Sequence, residues 1–222
     1  MNTLRIILRG LSDTLEHLLP FCLATLAWWA AMILVLPGPG ATIALFAITD
    51  PRRAVDRPDW REGISLAWAS TRRGWLVTLI MLPLVAVVLL NLRTYAGSGS
   101  RWGLLTPLWV YLLLFGVTLT LYAFSLSAVT DLPLGSAIQR SALLVVAFPI
   151  RSAVVTFVLL FIVAAGGLLV VPLVMFVPAL AAAVINRTVL TGLGLPIVDP
   201  LAPTPERKIE EQRRSSTSRF GP

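Results

Sequence analysis

The chain has 222 residues, of which 57% are hydrophobic and only 13% are charged, with a mean hydropathy of +0.84. This balance excludes an ordinary water-soluble globular domain and indicates an integral membrane protein. The formal net charge of +7 would suggest a nucleic-acid partner in a soluble protein. In a membrane protein, basic residues collect beside the spans on the cytoplasmic side. We therefore expect no nucleic-acid partner and interpret the charge as a signal of orientation.

The N-terminal segment, residues 1–17, has the pattern of an amphipathic helix. Leucine and isoleucine recur at helical spacing, whereas Arg5, Arg9, Ser12 and Glu16 occupy the other side. The pattern predicts a helix that lies in the membrane interface, and packing against the rest of the protein is the alternative.

Charge-free runs mark the membrane segments that follow, because an ionised side chain at mid-bilayer costs about 2.5–3.5 kcal/mol. Since one span needs about 20 residues, the runs predict an all-α polytopic bundle within residues 18–195, with about five transmembrane helices and short amphipathic interfacial helices. The predicted spans are residues 18–48, 74–92, 103–129, 152–170 and 172–190. The last two come from one run of 35 residues, in which Gly166, Gly167 and Pro172 favour a reversal.

The first span is interrupted by residues that remove backbone donors and weaken a helix, and this break is the candidate functional feature. Its residues are Pro37, Gly38, Pro39 and Gly40, followed by Thr42. Residues 41–48 are too short to cross alone, so they either continue the crossing after a kink or fold back as a re-entrant arm. The freed backbone groups and the Thr42 hydroxyl would line a polar cavity in a transporter. The alternative is a kink that fits the helix between its neighbours.

Two tryptophans precede the break. Trp28 and Trp29 lie in the middle of the predicted span, where an indole N–H needs a hydrogen-bond partner. Packing is the more usual role of such residues, and a platform that stacks on a sugar is the alternative.

The loops predict the orientation. If the first run crosses once, 14 of the 18 basic residues share one side, and if it is re-entrant the number is 16. The side with more basic residues should be the cytoplasmic side. Residues 60–75 and 134–149 are predicted interfacial helices on that side, and residues 196–222 a disordered cytoplasmic tail. The candidate contacts for anionic lipid or a partner are Arg52, Arg53, Arg57, Arg61, Arg72 and Arg73.

Composition also excludes several kinds of chemistry. Cys22 is the only cysteine and His17 the only histidine, which excludes an intramolecular disulfide and a multi-histidine metal site. The charge-free runs that define the spans hold no group for acid/base work or proton coupling, and the chain has no P-loop motif. We expect no catalytic residue, no metal and no cofactor, and therefore no enzyme.

The order Trp28, an apolar stretch to Leu36, the run Gly38-Pro39-Gly40-Ala41-Thr42-Ile43-Ala44-Leu45-Phe46 and a basic loop resembles the YesL-like family of small bacterial membrane proteins. Members of that family have Gly-Pro-Ala-Thr-x-Ala-Leu-aromatic in this place. Thr25 departs from an asparagine that is frequent in the family, and Gly40 looks like an insertion. The resemblance extends in hydropathy and length to about Leu195.

The family has no established activity, but its members are often said to lie beside genes for carbohydrate ABC transport. The resemblance implies a transport-associated membrane protein. We expect a non-enzymatic accessory or scaffold component of a transport system in the bacterial cytoplasmic membrane, which the charge-free runs and basic loops predict to be multi-pass with a cytoplasmic C-terminus. Its partners would be the lipid bilayer and an ABC-type permease, another membrane protein or a second copy of the chain. A small channel or uniporter that uses the broken first helix is the alternative.

Overall fold

The computed structural model describes residues 3–16, 18–52, 60–96, 105–130, 132–169 and 175–197. These residues form eight helices and no strand, which confirms the all-α prediction. The helices are α1 Thr3–Glu16, α2 Leu18–Ile33, α3 Gly38–Ile48, α4 Trp60–Ala96, α5 Thr106–Val129, α6 Leu134–Ala147, α7 Pro149–Leu169 and α8 Val177–Gly192. The predictions for His17, Arg53, Arg57, the reversal at Pro172 and the tail from residue 198 lie outside the described residues.

Three of the described helices are long and apolar enough to cross a membrane. They are the parts of α4, α5 and α7 at Arg61–Tyr95, Thr106–Val129 and Pro149–Leu168. The apolar helices α2, α3, α6 and α8 are each shorter than 18 residues. The structure therefore has three helices of spanning length where the sequence predicts about five spans.

Helix α4 joins two elements that the sequence predicts separately. The predicted interfacial helix at residues 60–75 and the predicted span at 74–92 form one continuous helix of 37 residues, with Pro83 inside it. A helix of that length extends about 55 Å, whereas the hydrocarbon core is about 30 Å thick. Part of α4 must therefore lie outside the core wherever it crosses a membrane, or the helix must tilt strongly.

The chain reverses direction between α2 and α3. Trp28 Nε1 donates a hydrogen bond to Thr42 Oγ1 at 3.0 Å, although a helix that continued through the break would separate these residues by about 21 Å along its axis. Val35 has a φ of 61°, a left-handed conformation that costs a β-branched residue strain. The reversal lies at residues 34–37, and residues 38–40 form the first turn of α3.

Helix α3 is the buried centre of the fold, and α4, α5 and α8 pack around it. Gly40 of α3 lies against Thr71, and Gly74 of α4 lies against Gly40 in turn. A Cβ atom built on Gly40 would lie 2.8 Å from Thr71 Cα, and one built on Gly74 would lie 2.7 Å from Gly40 N. The two backbones approach this closely because both positions lack a side chain, as small residues permit in membrane helix packing.

Gly74→Ala should therefore destabilise the protein, because the added methyl group meets the backbone of Pro39 and Gly40. We expect the free energy of unfolding to fall by about 1–3 kcal/mol, the usual cost of overpacking. The measurement is unfolding in mixed detergent micelles, followed by circular dichroism.

Gly167→Ala in α7 is the matched control, because a Cβ atom there has no atom of the described residues within 4 Å. It should leave stability unchanged or raise it by up to about 1 kcal/mol, the difference in helix propensity. Equal effects of the two substitutions would contradict the close approach of α3 and α4.

Candidate functional site

A buried polar cluster forms where α3 ends. Pro51 has no N–H, so it cannot donate to the carbonyl of Ala47 as the next helical residue would. The Asp50 N–H donates to Ala47 O instead, at 3.4 Å, and the carbonyl of Phe46 is left without its usual i+4 partner. The Thr49 hydroxyl lies 3.3 Å from Phe46 O, but it donates to Leu45 O at the shorter distance of 2.9 Å. The buried Phe46 carbonyl therefore needs a further donor.

Asn186 of α8 provides that donor. Its Nδ2 donates to Phe46 O at 2.6 Å and to Thr49 Oγ1 at 3.2 Å, and its Oδ1 accepts from Ser125 Oγ at 2.7 Å. Asn186 is fully buried. One amide side chain thus joins the end of α3 to α5 and α8, with donors and acceptors matched.

Two of the candidate arginines bind backbone carbonyls at the end of α5 and in the segment after it. Arg52 forms an ion pair with buried Asp50 at 2.6 Å, and its Nη2 also donates to Val129 O at 2.7 Å. The hydrogen bond to Asp50 raises the pKa of the Arg52 guanidinium. Arg73 Nη2 donates to Leu132 O. Both arginines therefore bind backbone carbonyls of the chain itself.

The other basic candidates have different positions. Arg61 and Arg72 are exposed on α4. Arg187, which is not one of the candidates, is buried within α8, five residues before that helix ends. The structure thus divides the basic residues into an internal group and an external one.

At the predicted break, backbone carbonyls accept hydrogen bonds from within the chain. Each carbonyl from residue 35 to residue 38 accepts one: Val35 O from Gly38 N, Leu36 O from Trp75 Nε1, Pro37 O from Ala41 N and Gly38 O from Thr42 Oγ1. Pro37, Gly38, Pro39 and Gly40 are all buried. These contacts favour a packing role over a cavity lined by free backbone groups.

The structure also brings the predicted tryptophans to the break. Thr42 Oγ1 accepts from Trp28 Nε1 and donates to Gly38 O, so its proton is already used. The Trp29 ring packs edge-on against Trp28, with 4.9 Å between ring centroids. Trp29 Nε1 is buried and has no hydrogen-bond partner among the described residues.

A second polar contact, which the sequence analysis missed, joins α5 to α7. Thr118 Oγ1 lies 2.5 Å from Thr156 Oγ1, and Tyr122 OH lies 3.2 Å from Ser152 Oγ. Thr118 and Tyr122 are four residues apart on α5, and Ser152 and Thr156 are four residues apart on α7. The two pairs of positions contact each other in opposite order, as antiparallel helices require. That spacing of polar residues was the available signal. Among the described residues, no group of three or more His, Cys, Asp and Glu side chains could hold a metal ion.

Asn186→Leu should destabilise the bundle, because it leaves the carbonyl of Phe46 and the hydroxyl of Ser125 without Asn186 as a partner. We expect the free energy of unfolding to fall by about 1–3 kcal/mol, the cost of unsatisfied buried polar groups. Asn91→Ala is the matched control, because among the described residues Asn91 Nδ2 bonds the carbonyl of Val87, one turn away on α4. It should change stability by less than about 0.5 kcal/mol, and an equal loss in both variants would contradict the role of Asn186.

Comparison with known proteins found no match for this chain among protein families, curated proteins or solved structures. The resemblance of the segment around residues 38–46 to the YesL-like family stays a prediction.

Proposed function

We propose that the chain is an integral membrane protein that acts as a non-enzymatic accessory or scaffold component of a transport system in the bacterial cytoplasmic membrane. The observation that carries the proposal is that several of its polar side chains form hydrogen bonds within the chain. Asn186, Ser125, Thr42 and Arg52 bind other parts of the same chain. A link to carbohydrate transport rests on the family resemblance alone.

The outward surface suits contacts with lipid and membrane partners. On α2, α4 and α7, large apolar side chains are exposed along whole helix faces, and Phe157 and Phe161 of α7 are each about two thirds exposed. Membrane helices associate through packing and do not need a cavity. Such faces provide the area on which a permease or a second copy of the chain would dock.

The reversal between α2 and α3 supports one of the two predicted topologies. If α2 and α3 form a re-entrant hairpin, the N-terminus lies on the same side as the loop after α3. Sixteen of the 18 basic residues then share the cytoplasmic side, with Arg93 and Arg101 opposite. Helix α1 would lie in the cytoplasmic interface, with Gly10 against Val184 of α8 and its leucines exposed to lipid.

Cysteine labelling tests this topology. In a Cys22→Ala background, Ser12→Cys should react with a membrane-impermeant maleimide only after the membrane is permeabilised, because α1 would lie on the cytoplasmic face. Ser136→Cys at the start of α6 is the matched cytoplasmic control and should behave identically. Labelling of Ser12→Cys in intact cells would contradict the re-entrant topology.

Purification from native membranes tests the accessory role. The tagged full chain, extracted in mild detergent, should carry a second membrane protein in near-equimolar amount, measured by quantitative mass spectrometry. A tagged membrane protein of similar abundance and span number is the control for unspecific recovery. Repeated recovery of the chain alone would contradict the proposal.

A small channel or uniporter is the second candidate, and one observation favours it. Thr25 Oγ1 and Trp29 Nε1, one turn apart on α2, are both buried without a hydrogen-bond partner among the described residues. Unpaired polar atoms beside a helix reversal are what a path for a polar solute would present. Solute flux into proteoliposomes that Thr42→Val and Pro39→Ala abolish would establish this role and overturn the accessory role.

A further inference from the structure

One exposed face of α4 changes from basic and aromatic to fully apolar along its length. Arg61, Ile64, Trp68 and Arg72 are spaced by three or four residues and therefore share a face. All four are exposed, with Trp68 at 59%. We call these residues, together with Leu76 and Leu79, the α4 stripe.

The stripe passes into the lipid-facing surface without interruption. Leu76 and Leu79 follow Arg72 at the same helical spacing and are 43% and 59% exposed. The charge-free part of α4 begins at Gly74, so Arg72 lies where the hydrocarbon core would end. Trp68 is one turn, about 6 Å, further out, at the depth of the lipid headgroups where tryptophan is enriched.

Among the residues that the structure describes, the charges nearest to Arg72 along α4 leave it available on this face. The adjacent Arg73 donates to the carbonyl of Leu132, and the acidic Glu62 of α4 lies about 15 Å from Arg72 along the helix axis. A guanidinium at the edge of an apolar surface pairs well with a phosphate, which it binds in a bidentate manner.

We propose that the α4 stripe binds an anionic phospholipid, with its phosphate at Arg72 and an acyl chain along Leu76 and Leu79. The basic and apolar parts of the α4 stripe are continuous, and this favours a lipid over an acidic protein segment. One diacyl lipid would match both the charge of Arg72 and the apolar surface of Leu76 and Leu79. The proposal requires α4 to cross the membrane and is independent of the accessory role. Failure of the partner purification would therefore leave it intact.

Native mass spectrometry of the full chain in detergent micelles tests the site. The probes are phosphatidylglycerol and phosphatidylcholine with identical acyl chains. The unsubstituted chain should bind phosphatidylglycerol several-fold more tightly than phosphatidylcholine. Arg72→Gln should reduce phosphatidylglycerol affinity about fivefold, the effect of one basic residue near an anionic lipid, and leave phosphatidylcholine affinity unchanged.

Two further variants separate a specific site from a general effect of charge. Arg72→Lys should have an affinity between those of the unsubstituted chain and Arg72→Gln, because it keeps the charge but loses the bidentate geometry of the guanidinium. Arg61→Gln is the matched control on the same face, more than two turns from the apolar surface, and should change the affinity less than twofold. Circular dichroism and the thermal transition should be the same in all variants, since Arg61 and Arg72 are exposed.

Five results would overturn the proposal. The first three are equal affinity of the unsubstituted chain for the two lipids, no effect of Arg72→Gln, and an equal effect of Arg61→Gln and Arg72→Gln. The fourth is displacement of the lipid by an equal concentration of glycerophosphate, which would show that Leu76 and Leu79 contribute nothing. Binding of a cytosolic protein through Trp68 and Arg72, without any preference for phosphatidylglycerol, would assign the stripe to a protein partner and also overturn it.

Discussion

The carbonyl of Phe46 is the group on which the arrangement of the bundle depends. Pro51 removes the N–H that would keep the last turn of α3 regular, and the Asp50 N–H turns to Ala47 O. Phe46 is buried, and its freed carbonyl accepts hydrogen bonds from side chains, from Thr49 at 3.3 Å and from Asn186 at 2.6 Å. Because Ser125 donates to the same Asn186 amide, the positions of α3, α5 and α8 are coupled. A shift of any one of these helices would leave polar groups unpaired in an apolar surrounding.

The other inter-helix contacts surround this point. Gly40 and Gly74 allow α3 and α4 to approach at backbone distance, and Gly10 does the same for α1 and α8. Arg52 and Arg73 bind carbonyls at the end of α5 and in the segment after it. Helix C-termini carry partial negative charge and unpaired carbonyls, so a guanidinium is well suited to bind them. Two arginines that the sequence assigns to lipid or partner contacts are therefore used inside the molecule.

The distribution of polar and apolar groups indicates how the protein could function. Many polar groups are paired inside the bundle, and large apolar side chains are exposed on its surface. The break between α2 and α3, the feature with most functional promise in the sequence, has its carbonyls paired within the chain. The outward surface keeps exposed aromatic side chains on α7 and the basic, aromatic and apolar α4 stripe. These surfaces suit an accessory protein that works through contacts with lipid and with other membrane proteins, which is the role we propose.

Local patterns in the sequence were enough to predict helices and the positions of the longest apolar ones. Exclusion of charge from a span is a local property, so the predicted spans at residues 74–92, 103–129 and 152–170 overlap α4, α5 and α7. The packing of the helices was needed to show that α3 folds back on α2, that residues 60–96 are one helix and that Asn186 joins three helices. Asn186 and Phe46 are 140 residues apart, and a contact between distant residues depends on the packing of every helix between them. No local pattern of residues predicts such a contact.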